Sequence, residues 1–414
     1  MKKLRTYILV TLVISLFAGY GLQALMPTKR IDERAFLSEV APDAVFSEKR
    51  GNPPHYQSGQ GIVAFNTYDV TPSFRGYAGP IKLLLALTKD GKIAGIRLLE
   101  HEETKNYVHA METPEYLRQF LGKSVNDPFV VDRDIDGISR ATVSVQALAR
   151  TVKESSRTVA SNVLGIKVRE DGARKGGGAG GLIYLTLFST SFILYFATRR
   201  SRELLRIRDI SLVLGFFIAG LYLSTPFSIL HIFNLLLLRP SSSLLWYAIV
   251  ISTVVSLAVA GRFYCGWLCP FGALSEFIGR LPFKKWHLPV ELDDRWRRLK
   301  YWILGFVIVI VFVSRKAEFG NYETYITLFS YHGHFLAWSL VIVSLLASLR
   351  IERFWCRYLC PVAALTGIFS RKDSGYVSRY DCPMGNKPMP EISECIRCNR
   401  CYQGDRQQTE EWYD

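Results

Sequence analysis

Eight cysteines, all placed after residue 264, carry the most specific chemistry in the sequence. Cys395-x2-Cys398-x2-Cys401, with Cys382-Pro383 upstream, offers four thiolates within a short stretch. Three closely spaced cysteines and one Cys-Pro suit a [4Fe–4S] cluster. Four cysteines also make a structural zinc site, although zinc more often takes two separated Cys-x2-Cys pairs. The other four stand in two copies of one motif. Arg262-Phe263-Tyr264-Cys265-Gly266-Trp267-Leu268-Cys269-Pro270 returns as Arg353-Phe354-Trp355-Cys356-Arg357-Tyr358-Leu359-Cys360-Pro361, 91 residues later. Cysteines at i and i+4 share one helix face, so each copy offers two thiolates to one site. Together Cys265, Cys269, Cys356 and Cys360 could hold a second iron–sulfur cluster. Their alternative role is to pack as small apolar side chains.

The elements around these motifs must then be read. The 414-residue chain is 49% hydrophobic, with a net charge of +15. Apolar runs at 7–25, 180–197, 210–238, 243–260, 300–314 and 335–349 predict six membrane spans, each needing ~20 residues to cross ~30 Å. Pro226 should kink or end the long third run. Each Cys-x3-Cys-Pro copy follows a helix pair. The basic connectors hold Arg199, Arg200, Arg202, Arg206 and Arg208, then Arg280, Lys284, Lys285, Arg295, Arg297, Arg298 and Lys300. With Met1 inside, both connectors and the tail return to the cytoplasmic side, as the positive-inside bias requires. The charge is therefore a topology signal rather than a nucleic-acid surface. The absence of cysteine from the exported segment argues against a disulfide scaffold and for metal ligands facing a reducing compartment. No histidine pair stands at a spacing that suggests haem, and Tyr264, Trp267, Trp355 and Tyr358 read as an interfacial aromatic belt.

Residues 1–26 read as a signal anchor or a signal peptide. Residues 27–179 read as an extracytoplasmic α+β domain. Within it, 81–88 and 93–99 predict a hairpin around Asp90-Gly91, and 143–164 a helix. Residues 180–350 form the membrane domain with the first Cys-x3-Cys-Pro. Residues 351–414 form a cytoplasmic, ferredoxin-like cysteine-rich tail with the second copy. The expected fold is thus a multi-domain membrane protein, with an α+β domain outside, about six transmembrane helices, and the cysteine-rich tail.

In the outer domain, Gly76-Tyr77-Ala78-Gly79-Pro80-Ile81, the hairpin, His101-Glu102-Glu103-Thr104 and Asp136-Gly137-Ile138-Ser139-Arg140-Ala141-Thr142 follow in order. This combination resembles the FMN-binding domain of Rnf, Na⁺-pumping NADH:quinone reductase and NosR-type proteins. The resemblance implies FMN joined covalently to Thr142 by a flavin-attaching enzyme. It implies Asp136, Ser139 and Ala141 in the attachment motif, and His101, Glu103 and Thr104 beside the flavin. A helix N-terminus suits the phosphate. Arg140 departs from the glycine that this motif carries in the family. The whole chain from about residue 60 resembles the NosR/NirI family, and its membrane half resembles NapH. This implies electron transfer from a cytoplasmic donor or quinol, through iron–sulfur centres, to FMN and an exported reductase. A transmembrane redox regulator and a metalloenzyme assembly factor are the alternative readings.

Overall fold

The computed structural model describes residues 2–25, 32–72, 76, 80–101, 111–138, 142–168, 178–199, 204–238, 241, 243–286, 288–320, 322–331, 334–370, 382, 384 and 394–401. Its first half holds a four-stranded antiparallel sheet in the order β1 (Tyr56–Gln57), β2 (Val63–Asn66), β3 (Ile81–Leu87) and β4 (Ile93–His101). β3 and β4 form the expected hairpin, and its turn places Gly91 at φ +73°, which a residue without Cβ adopts freely. β3 is apolar at nearly every position because both of its faces are covered. Leu83, Leu85 and Leu87 pack with Val145, Leu148 and Val152 of the helix Thr142–Asn162. Leu84 and Ala86 pack with Leu37 and Val40 on the other side. A continuous apolar run rather than alternation is the signature of such a strand.

Each of the six apolar runs forms helix. The N-terminal helix Lys2–Leu25 lies along Val290–Ser314, and Gly178–Thr198 along Leu244–Ala260. The third run does end as Pro226 predicts. A helix from Leu205 turns into a π-helix over Gly215–Tyr222, breaks with Ser224 at φ +48°, and a second helix spans Ile229–Leu236. Among the described residues one helix, Ala179–Thr198, is long and apolar enough to cross a membrane. A second qualifies if the pair Thr324–Ser330 and Phe335–Arg350, bent by 106°, is one span. Thr6–Leu22 and Leu244–Ala260 are apolar but shorter.

Two expectations are corrected. Tyr264, Trp267, Trp355 and Tyr358 do not form a belt at a membrane surface, for all four are buried around the cysteines. The Cys-x3-Cys stretch is also no continuous helix. Cys265 lies in the short helix Phe263–Trp267, and Cys269 stands in a break that opens the helix Pro270–Gly279. The second copy repeats this, with Cys356 in Phe354–Tyr358 and Cys360 opening Pro361–Phe369. Proline has no N–H to donate backwards and is preset for a first helical turn, so it starts a new helix.

Gly95 on β4 lies so close to the carbonyl of Val40 that a Cβ would overlap it. Backbone cannot yield as a side-chain tip can. Gly95→Ala should therefore cost the sheet domain about 1–3 kcal/mol. Calorimetry of the whole protein would show its unfolding transition at a lower temperature.

Candidate iron–sulfur centre and flavin cleft

The two motifs bring their cysteines into one buried region. Burial raises the thiols of Cys269, Cys356 and Cys360, and each lies within electrostatic range of others in the set. Cys269 senses Cys356 and Cys265, and Cys360 senses the same pair. The Sγ of Cys269 accepts from the Gly272 N–H at 3.4 Å, and that of Cys360 from the Ala363 N–H at 3.4 Å. Each Cys-Pro thus directs a helix N-terminus at its own sulfur, which favours the thiolate.

The surroundings are charged rather than apolar. Arg208, Arg262, Lys300, Arg353, Arg357 and Arg397 are buried, against Glu276, Asp293, Glu323 and Glu394. An excess of buried cation is costly unless it faces an anion. Four thiolates around iron and sulfide are such an anion. Arg262 makes the case most directly. Its Nη1 donates to the Glu394 carbonyl at 3.0 Å, while its buried Nε and Nη2 have no hydrogen-bond partner among the described residues. That guanidinium lies within electrostatic range of Cys265 and Cys356. The donor set fits a thiolate-held cluster. Neutral thiols packed as apolar residues would leave the six buried cations facing only four buried carboxylates.

One carboxylate ties the repeats together. Glu276, fully buried, accepts from Arg208 Nη1 at 2.8 Å, Arg353 Nε at 2.9 Å, Arg280 Nη2 at 2.7 Å and Arg400 Nη2 at 2.8 Å. Burial alone would raise its pKa, but Arg353 and Arg208 hold it well below the usual carboxylate range. Arg208 also donates to the Gly266 carbonyl at 2.8 Å and Arg353 to the Cys265 carbonyl at 2.7 Å, which fixes the first loop. In the second copy Arg357 and Tyr358 donate to Asp293, Arg357 at 2.9 Å. Arg208 and Lys300, read as topology charges in the sequence, are thus structural cations. Glu276 and Glu394 were missed. A charged residue within an apolar stretch is the signal that could have found Glu276.

The tail quartet also converges. Cys382 senses Cys398 and Cys395, and Cys401 senses all three others. Among the described residues no three His, Cys, Asp or Glu side chains close in as tightly as a single metal ion requires.

In the sheet domain, His101 faces Glu112 at 2.6 Å in a cleft of about 390 Å³, lined also by Arg97, Glu100 and Leu117. Tyr116 donates to the Asp136 carbonyl at 2.9 Å, and Gln119 accepts from the Asp136 N–H at 2.6 Å. These bonds hold the start of the attachment motif beside the helix Pro114–Arg118, whose Leu117 lines the cleft. His101 and Asp136 are therefore brought to one region, and the next helix begins at Thr142. Tyr77, Ala78, Gly79, Glu103, Thr104, Ser139, Arg140, Ala141 and the Thr142 side chain lie outside the described residues. Arg97 in this cleft pairs with Glu39 at 3.2 Å and stands beside the carboxylates of Glu100 and Glu112.

Comparison with known proteins agrees with both halves. A family model for an FMN-binding domain matches residues 76–156, and one for a 4Fe-4S binding domain matches 242–289 and 333–375. The second match contains both Cys-x3-Cys-Pro copies and stops before Cys382. The chain is 27% identical over 270 residues to "Regulatory protein NosR" of Stutzerimonas stutzeri, covering 54% of this chain and 36% of that protein. It is 32% identical over 195 residues to "Protein NirI" of Paracoccus denitrificans, covering 40% and 27%. It is 28% identical over 151 residues to "Methylamine utilization ferredoxin-type protein MauN" of Methylorubrum extorquens, covering 36% and 48%. The chain spans less than half the length of each. No solved structure matches it. The sequence and fold define a redox protein in which an FMN-binding domain is joined to a 4Fe–4S-binding domain. Within that class the chain is NosR/NirI-like.

Two outcomes test this geometry. Glu276→Ala would strand Arg208 and Arg353 as buried cations and should cost about 3–5 kcal/mol. Asp209→Ala, at an exposed pair with Arg280, should cost less than about 1 kcal/mol. Thermal unfolding in detergent compares the two. Burial raises the Tyr116 hydroxyl to about 12. A raised pKa contributes stability that is complete below the unfolded value near 10 and is lost as pH climbs through the folded one. The sheet domain should therefore weaken between pH 10 and about 12, and Tyr116→Phe should flatten that decline in pH-dependent melting.

Proposed function

We propose that the chain is a multi-pass protein of the bacterial cytoplasmic membrane that carries electrons through iron–sulfur centres to FMN held at Thr142. The observation that carries the reading is the convergence of Cys265, Cys269, Cys356 and Cys360 amid buried cations, in a chain that also has an FMN-binding domain. The six apolar helices are its spans, and the basic connectors lie inside. The cysteines then face the cytoplasm and the flavin domain the exterior. Electrons enter from quinol or a cytoplasmic donor and leave to an exported reductase. Nitrous oxide reductase is the acceptor that the NosR resemblance suggests.

FMN exchanges electrons singly or in pairs, which suits a junction between one-electron centres and a reductase. The chain's own residues supply the setting. The Cys-Pro helix starts stabilise thiolate, Arg262 and Arg353 offset the negative charge of a ligated site, and the aromatic shell of Tyr264, Trp267 and Trp355 excludes water. At the other end, Tyr116 and Gln119 hold the Asp136 backbone at the start of the motif that Thr142 closes. Cys382, Cys395, Cys398 and Cys401 would hold a second [4Fe–4S] cluster in the tail.

A redox-sensing regulator is the second reading, favoured by the word "regulatory" in the names of the NosR relatives. Sustained flux separates the two. In membrane vesicles fed with quinol or a low-potential donor, steady reduction of the flavin and of an external acceptor is expected. Intact cofactors without flux would overturn the electron-transfer reading. Thr142→Ala should remove one FMN from the mass of the isolated protein while its iron content stays unchanged.

A further inference from the structure

We infer that the loop Glu394–Cys401 is seated on the first Cys-x3-Cys motif so that the two cysteine quartets form an electron-exchanging pair, with Glu394 and Gly266 as its positioning residues. The inference rests on the proposed iron–sulfur reading and adds a route within it. The contact is made of several independent bonds. Trp267 Nε1 donates to the Arg397 carbonyl at 2.9 Å. Tyr301 donates to Glu394 Oε1 at 2.6 Å, Lys300 pairs with Glu394 Oε2, and Arg262 donates to the same carboxylate at 3.2 Å. Asn399 donates to the Tyr195 carbonyl at 2.9 Å and to Thr198 Oγ1 at 2.8 Å. Gly266, the residue after Cys265, lies so close to the Ile396 carbonyl that a Cβ would overlap it. Ile396 is in turn the residue after Cys395. One ligand from each quartet therefore adjoins the same backbone contact.

Charge placement points the same way. Two anionic centres at close range in a low-dielectric interior repel strongly. Arg262, bonded to Glu394 of the tail, lies within electrostatic range of Cys265 and Cys356 and also of Cys395. Arg262 Nη1 holds the tail, and its buried Nε and Nη2 have no hydrogen-bond partner among the described residues. With clusters held by the two quartets, a single electron would pass across, one centre being oxidised as the other is reduced. No bond changes and no proton moves, and the electron comes from whatever low-potential donor or quinol feeds the protein.

Electron paramagnetic resonance of the full-length protein, reduced with dithionite, tests this. The expected result is about eight iron atoms per chain and a spectrum showing magnetic interaction between two reduced centres. In Gly266→Ala and Glu394→Gln, which keep all eight cysteines, the interaction should be lost and the spectrum should become the sum of two isolated signals. About four iron atoms, a wild-type spectrum that is already a simple sum, or variants with unchanged coupling would each overturn the inference. The wild-type spectrum decides alone if the variants fail to fold. Flavin reduction in vesicles is read separately, so loss of the pair does not count as loss of electron transfer to FMN.

Discussion

The buried carboxylate of Glu276 is the interaction on which the cysteine-bearing half depends. It draws Arg208 from one helix, Arg353 from the second repeat and Arg400 from the tail to one point. Two of those guanidinium groups, Arg353 and Arg208, then hold the carbonyls of Cys265 and Gly266. Without the carboxylate, buried cations would repel one another across a low-dielectric interior. With it, two segments far apart in sequence close around a common centre. A buried ion network of this kind adds little net stability over an apolar core, but it specifies one arrangement.

The sheet domain is organised by a different constraint. β3 has cover on both faces, so its neighbours must approach closely, and Gly95 meets Val40 with no room for a methyl group. The helix Thr142–Asn162 then has one possible seat, with Val145, Leu148 and Val152 against Leu83, Leu85 and Leu87. Where that helix starts is where the attachment motif ends. Core packing thus places the start of that helix, with Ile138 just before it packed against the same core.

Local signals were legible in the sequence, and long-range ones were not. The Asp90-Gly91 hairpin, the helix from residue 142 and the break at Pro226 each follow from a few adjacent residues. The repeat announced that the four cysteines should meet. Arg280, four residues from Glu276, is the one local arginine partner among the described residues; Arg208, Arg353 and Arg400 for Glu276, and Arg262 for Glu394, stand 68 to 132 residues away, and nothing near either carboxylate announces them. The aromatic residues misled for a related reason. Tryptophan and tyrosine suit both a membrane surface and a buried shell, and only the tertiary fold separates the two uses. The Cys-x3-Cys spacing suggested one helix face, yet the following proline made a break with its own cap.

The repeat is duplicated but not equivalent. Where the first copy has Gly266, the second has Arg357, locked by Asp293. One copy meets the tail backbone directly, Gly266 against Ile396, and the other meets it through Lys300, which donates to the Arg357 carbonyl at 3.1 Å and pairs with Glu394. Divergence at one residue thus gives the two copies different ways of meeting the same tail, a close backbone contact at Gly266 and a lysine bridge beyond Arg357, while both keep their cysteine and proline positions.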